Sequence, residues 1–385
     1  MSASILLVTT MTWPFPAQLA AAFAGVGAHV QALRPQGAIL SLSRHPVRWH
    51  RYNGLAPITS LRRAIAAARP DMIVPCDDLA ARLLQKAGGR ADPGRAEFLT
   101  MAAAAGAPAL TSAAIETDAD LEEAMRRFGL PLVMKSDHSW GGEGVAIAHT
   151  REAARQAFRN LRTASRLRDM ARTFTGRGSH FFARGILPPS REVSAQSFVV
   201  GTPATSSIAA WRGDVVGAHH FDVVLSTATT APASVIRAVD CPQMAASARA
   251  VARAFNLSGL FGLDYMRDEH GAVHLLEMNA RATPTMHLAL GSDPIAALLT
   301  AAGFPARPRP ATTGRTEIAL FPREWLRDPA SPWLANAFHD VPWDDPAVVR
   351  ACVRQAPPSR QADAQALLEK TARLALTTKG AVSGA

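Results

Sequence analysis

The chain is poor in cysteine and tyrosine, with three of the first and two of the second in 385 residues. Cys76, Cys241 and Cys352 stand far apart, are odd in number and form no CxxC or other metal-ligand spacing. That excludes a disulfide framework and a thiolate metal site, and makes a reduced, cytoplasmic setting the expectation. No apolar run approaches the roughly 18 residues needed to cross a bilayer. The opening MSASILLVTTMTWPFP has no basic stretch and only a short apolar one, so neither a signal peptide nor a membrane partner is expected. The net charge of +10 raises the question of nucleic acid, but the arginines are scattered and nowhere interleaved with aromatics. An anionic small substrate is the preferred reading of that charge. GxGxxG, an internal repeat, and any Ser/His/Asp or Cys/His constellation are also missing.

What is present is a globular composition, 48 % hydrophobic and 19 % charged, long enough for two or three domains. Strands over Ser4–Thr10, His29–Leu33 and Asp71–Pro75 alternate with helical patterns from Pro16 and over Leu61–Ala68. That alternation predicts a small, Rossmann-like parallel α/β domain over residues 1–95. Thr9, Thr10, Asp77 and Asp78 follow its strands, where ligands gather in such sheets and where ordinary turn polarity also falls. Helices are expected over Ala96–Ala105, Asp118–Phe128 and Pro242–Phe255. Strands are expected over Leu132–Lys135, Val145–Ala148, Phe181–Ile186, Glu192–Val200, Thr205–Trp211 and Val215–His220. Gly201–Pro203 reads as a turn and Pro305–Thr316 as a linker, with a small, polar tail at the end.

The most informative stretch is Gly259–Leu288. Leu260–Met266 and Val273–Met278 are apolar runs, each broken by one acid, and the polar segment between them suits a hairpin turn. A loop centred on His270–Gly271 sets Asp264 directly opposite Glu277, where Cβ atoms lie about 4.5–5.5 Å apart and like charges repel. Asn279 shares their face. Two carboxylates and an amide oxygen suit Mg²⁺, which takes hard oxygen ligands and completes its shell with phosphates and water. Arg281 continues the same spacing with a fork suited to phosphate or carboxylate. The competing reading is a surface hairpin with two solvated acids. Upstream, Lys135 ends a strand and is followed by Ser136–Gly144, a loop with three glycines whose backbone N–H groups can approach phosphate oxygens closely.

In this order, Pro131–Lys135, Gly141–Val145, Asp264 and Glu277–Arg281 resemble the motifs of the ATP-grasp superfamily, over a stretch from about Met1 to His287. The resemblance implies a mixed α/β and α+β chain: an ATP-grasp fold over 96–305, with a lid at about 130–185, preceded by the α/β domain and followed by a C-terminal extension over 306–385. It implies a carboxylate–amine or thiol ligase that uses ATP with Mg²⁺, or Mn²⁺ in its place. The partners would be a small carboxylate and an amine, with no nucleic acid or membrane, and a homodimer is compatible with it. Lys135 would touch the α/β phosphates, and Ser139, Gly141, Gly142 and Gly144 would fold over the triphosphate. Asp264, Glu277 and Asn279 would hold the metal, and Arg281 would stabilise the transferring phosphate.

The resemblance also places Arg95, ahead of Gly106-Ala107-Pro108, where the family often has a Lys. The adenine hinge falls on Ala183–Ile186, without its usual acid, leaving the backbone of Arg184 and Ile186 to read the base. Glu192 falls at the ribose-binding acid. His138 and Trp140 make the lid loop bulkier than usual. A carboxylase or kinase with the same grip, and an idle nucleotide-binding module, are the alternatives. His219, His220, Asp222 and His287 carry both a substrate-lining and a structural reading.

Overall fold

The computed structural model describes residues 1–89, 93–136, 144–163, 193–227, 231–355 and 363–369. Three sheets organise them. The first is parallel, built from β1 (Ser4–Val8), β2 (His29–Arg34), β3 (Arg48–Arg51) and β4 (Met72–Pro75) in the order β3-β2-β1-β4. Strand β1 is apolar and buried from Ile5 to Val8, on both faces, as a central parallel strand must be. Helices α1 (Phe15–Gly25), α2 (Pro57–Ala68) and α3 (Asp78–Ala87) flank it.

Helix α4 (Arg95–Ala104) leads to the second sheet, which carries β5 (Ser112–Ile115), β6 (Leu132–Ser136), β7 (Val145–Ala148) and β8 (Val193–Ser197) in the antiparallel order β5-β8-β6-β7. Helices α5 (Asp118–Phe128) and α6 (Arg151–Thr163) cover one face, packing Leu121, Met125 and Phe158 onto Leu132, Met134 and Ala195. The sequence-expected bounds of α5 are met residue for residue because its ends are chemically marked. Thr117 and Asp120 form a reciprocal capping box, and Gly129 leaves the helix with φ of 75°.

The third sheet has seven strands in the order β13-β12-β9-β10-β11-β14-β15. These are β9 (Gly201–Trp211), β10 (Asp214–Ser226), β11 (Ala233–Val239), β12 (Gly259–Asp268), β13 (Val273–Asn279), β14 (Glu317–Ala319) and β15 (Phe338–His339). The expected turn at Gly201–Pro203 is instead the start of β9, because β12 extends far enough to pair Met266 with Pro203 and Arg267 with Thr202. Helix α7 (Pro242–Ala254) packs with α4 on one face, over a core of Ile208, Phe261, Leu263 and Tyr265. Helix α8 (Pro294–Ala301) lies on the other, and its Ile295, Leu298 and Leu299 share one core with Ile5, Leu7 and Phe23 of the first sheet.

The sheet runs past the expected boundary at 305. β14 pairs with β11, and the short helices α9 (Arg323–Arg327) and α10 (Trp333–Asn336) return the chain to β15. Helix α11 (Pro346–Arg354) then closes on the first sheet's core through Val348, Val349 and Val353. The expected linker Pro305–Thr316 holds no helix or strand, yet it is tied down: Arg309 donates to Asp293 Oδ2 through Nε at 2.8 Å, and Thr312 N donates to Ala289 O at 2.8 Å.

Candidate active site

Two short contacts bring the sheets together. Leu275 N donates to Pro108 O at 2.8 Å and Leu110 N donates to Leu275 O at 3.0 Å, so the segment leaving α4 runs along the free edge of β13. On the other side Ala282 N donates to Pro75 O at 2.9 Å, which pins the chain after the hairpin to the carboxyl end of β4. The first residue of α4, the end of β6, the hairpin and the start of α3 therefore meet at one place.

Asp264 and Glu277 are directly paired in the β12–β13 ladder. The ladder slips by one residue between this pair and Tyr265–Leu275, leaving Leu276 as a bulge. Asp264 Oδ1 accepts from Thr205 Oγ1 at 2.8 Å and Oδ2 from Asn279 Nδ2 at 2.9 Å. Glu277 Oε2 lies 2.9 Å from Arg95 Nη2 and 3.8 Å from Lys135 Nζ, with 28 % of the Glu277 side chain exposed. Arg281 donates through Nε to Asp78 Oδ1 at 2.8 Å and through Nη2 to Asn279 Oδ1 at 3.1 Å.

The two carboxylates respond in opposite ways. Burial first, and then the Glu277 charge, push Asp264 above the ordinary carboxylate range, against the pull of Thr205 and Asn279. Burial pushes Glu277 up as well, but Arg95 and then Lys135 outweigh it and hold the group well below that range. Burial would lower Arg281, and Asp78 overturns this and raises it.

Of the sequence-predicted site residues, Arg95, Lys135, Asp264, Glu277, Asn279 and Arg281 converge here. Gly144 stands at the mouth of the loop after β6, where Ser136 N donates to Gly144 O at 2.8 Å. Ser139, Gly141, Gly142, Arg184, Ile186 and Glu192 lie outside the described residues. Asp77 belongs to the framework: it accepts from Thr9 Oγ1, Thr10 N and Thr10 Oγ1 at 3.0, 2.6 and 2.7 Å and caps α3 through Ala80 N. His287 pairs with Asp340 at 2.9 Å, His219 with Ser292 Oγ at 3.2 Å, and His220 with Ser206 Oγ at 2.7 Å. Asp222 holds Arg267 through Nη1 at 2.6 Å.

Arg323 escaped sequence reasoning. It opens α9, donates through Nη1 to Ala233 O at 3.1 Å, and has no carboxylate partner among the described residues. Burial, and then the charge of Arg281, lower its guanidinium to about 10. No local signal marks it, because only the docking of β14 beside β11 brings it near Arg281.

The donor set fits a divalent cation held jointly with phosphate oxygens. Two carboxylates and an amide offer hard oxygens, and no cluster of three or more His, Cys, Asp or Glu forms among the described residues. The protein would thus supply a partial shell, as Mg²⁺ sites on nucleotides do.

The chain belongs to the ATP-grasp superfamily. Within it, residues 94–291, just over half the chain, match the family described as "Carbamoyl-phosphate synthase L chain, ATP binding domain". No curated protein matches the chain in sequence. Among solved structures it is similar to the biotin carboxylase domain of 2-oxoglutarate carboxylase from Hydrogenobacter thermophilus, at 14 % identity and a TM-score of 0.57, covering 79 % of this chain and 70 % of that one. It is also similar to N5-carboxyaminoimidazole synthetase from Staphylococcus aureus, solved with ADP, at 11 % identity and 0.57, covering 78 % and 77 %. L-amino acid ligase from Bacillus licheniformis matches at 15 % identity and 0.56, covering 81 % and 77 %. These likenesses establish the fold: an ATP-grasp arrangement preceded by a small α/β sheet.

Proposed function

We propose that the protein is an ATP- and Mg²⁺-dependent ligase that phosphorylates a substrate carboxylate and joins the acyl group to an amine, releasing ADP and phosphate. The observation that carries this reading is the pairing of Glu277 with both Arg95 and Lys135 beside Asp264, Asn279 and Arg281. Positioning and charge neutralisation are what phosphoryl transfer requires of a protein, and these residues supply both.

Lys135 and Arg95 move from Glu277 onto the phosphates when ATP enters. Glu277, Asp264 and Asn279 would then hold Mg²⁺, and the ion would supply neutralisation of phosphate charge. Arg281, held by Asp78, faces the same point and pairs with the transferring phosphoryl group. Arg323 binds the carboxylate of the acid substrate, since a half-buried guanidinium without a carboxylate partner among the described residues is matched by an anionic ligand. Ser139, Gly141, Gly142 and Gly144 are assigned to the triphosphate, and Arg184, Ile186 and Glu192 to the adenosine, on the resemblance of their motifs alone. In this reading residues 1–95 form the domain that presents the acceptor side.

The test is nucleotide product analysis over an array of acids, bicarbonate included, and amines. ADP formation that requires one acid and one amine together supports the reading. ADP formation with an acid alone and no ligated product, or none with any pair, refutes it.

A further inference from the structure

The first sheet carries a cavity that the nucleotide grip does not use. It has a volume of about 740 Å³ and is walled by the edge strand β3, the turn after it and the adjacent flank of α2. Trp49, Arg51, Tyr52, Asn53, Thr59 and Arg63 line it, with Gln36 at the carboxyl end of β2. A smaller cavity of about 330 Å³ shares Trp49 and Arg51 and adds Arg34. Every lining residue comes from the segment Arg34–Ala67, and none belongs to the cluster around Glu277.

The charge of this cavity is one-sided. Among the described residues no Asp or Glu lines either part. Among the described residues Arg34, Arg51 and Arg63 make no ion pair. Arg51 donates through Nη2 to the neutral Gln36 Oε1 at 3.2 Å, and Arg34 through Nη1 to its neighbour's carbonyl, Pro35 O, at 3.3 Å. The Arg34 guanidinium also lies 5.3 Å from the centre of the Trp49 ring. Among the described residues two polar atoms here are buried with no partner: Arg34 Nε, and the hydroxyl of Tyr52, a residue only 3 % exposed. Burial, and then the nearby Arg51 charge, depress Arg34, as expected of cations with no counter-ion beside them.

Gathering like charges around a concavity costs free energy, and a bound anion removes that cost. Guanidinium forks match phosphate oxygens two at a time, while Asn53, Thr59 and Gln36 offer neutral hydrogen-bonding groups of the kind that read hydroxyls. The volume suits a small molecule, in the usual range of about 300–1,000 Å³. We propose that this cavity is a second ligand site, for a small multiply charged phosphate compound held by Arg34, Arg51 and Arg63. The site stands at the carboxyl ends of β2 and β3, at the same edge of the sheet as Asp77 and Asp78 but toward its outer strand. Its occupancy is independent of the reaction assigned to the nucleotide site.

The experiment is calorimetric titration of the full chain with inorganic pyrophosphate at fixed ionic strength, beside the double variant Arg51→Ala/Arg63→Ala. Fixed ionic strength keeps general screening out of the comparison. ATP affinity is measured on both proteins to show that fold and nucleotide site are intact. The expected result is one class of pyrophosphate sites at least tenfold weaker in the variant, with ATP affinity unchanged. Partial recovery in Arg51→Lys/Arg63→Lys is also expected. Identical isotherms for wild type and variant would overturn the proposal. So would tighter binding of citrate than of pyrophosphate, which would make the site a carboxylate site. A single-stranded oligonucleotide that binds this face more tightly than pyrophosphate would overturn it too, by making the cavity part of a nucleic-acid surface.

Discussion

Asp264 faces Glu277 across the β12–β13 ladder because Leu276 bulges out between that pair and the turn. Near the turn Arg267 pairs with Val273 and Met266 with His274, a register that would carry Asp264 opposite Leu276 if it continued. The bulge moves the register by one residue and brings the second acid onto the shared face. The repulsion of two like charges is relieved within the protein itself, by Arg95 and Lys135 on Glu277 and by Thr205 and Asn279 on Asp264.

Asp264→Asn should abolish Mg²⁺-dependent turnover while stabilising the metal-free protein by on the order of 1 kcal/mol, since the opposed charge is removed. The pH dependence gives a separate check. Asp264 is raised from 3.8 to about 6, so the folded state holds a proton that the unfolded state releases. Its contribution to stability therefore falls as pH rises from about 4 to about 6. Glu277 titrates in the opposite sense and lower, from 4.5 down to about 2, so its contribution is lost on acidification below that first value. Thermal melts of the metal-free chain should show the upper slope in the wild type and lose it in Asp264→Asn. An unchanged slope would contradict the assignment.

Lys135→Ala should weaken ATP binding by at least about tenfold, or about 1.4 kcal/mol, and remove turnover. Arg95→Ala should also weaken ATP binding, because Arg95 opens α4 and is the second cation on Glu277 that passes to the phosphates. Removing either cation also leaves Glu277 less compensated, so each variant should have a lower thermal midpoint without nucleotide. Calorimetry with ATP, alongside melts, separates the two effects. Wild-type ATP affinity in Lys135→Ala would count against the exchange of partners.

Much of this was legible in the sequence because it is written locally. The paired acids and the lysine at a strand end are recognisable as short runs, and α5 announces both its ends. What was not legible depends on partners remote in the chain. β3 reads Arg-Trp-His-Arg, a polar run with no strand alternation, and it is extended only because β2 offers it a parallel edge. Gly201–Pro203 has turn composition, yet β12 draws it into the ladder, and a Cβ at Gly201 would stand 2.1 Å from Arg267 O. Arg323 follows an apolar run with nothing in its neighbourhood to mark it.

Gly262→Ala should perturb the site without touching any charged group. A Cβ there would lie 2.5 Å from Thr283 Cγ2, so the segment that pins the hairpin to β4 would have to shift. Overpacking of this kind costs roughly 1–3 kcal/mol. The expected outcome is a lower thermal midpoint and a reduced turnover number, measured by denaturant melts and ADP release. Unchanged values for both would show that the crossing has slack.

Arg323→Ala should raise the KM for the acid substrate while leaving ATP affinity near the wild-type value, and Arg323→Lys should restore part of the loss. That split follows from an arginine that neighbours Arg281 but makes no contact with Glu277. Steady-state kinetics with each substrate varied in turn would check it. A loss confined to ATP affinity would move Arg323 to the nucleotide side of the site.

The central claim is that the γ-phosphoryl group of ATP passes to a carboxylate. The most direct measurement is turnover with the acid substrate in the presence of hydroxylamine, following hydroxamate and nucleotide products together. Hydroxamate and ADP are expected in equal amounts, with both lost in Lys135→Ala and Glu277→Gln. Release of AMP and pyrophosphate in place of ADP would contradict it, because the acid would then be activated by adenylation.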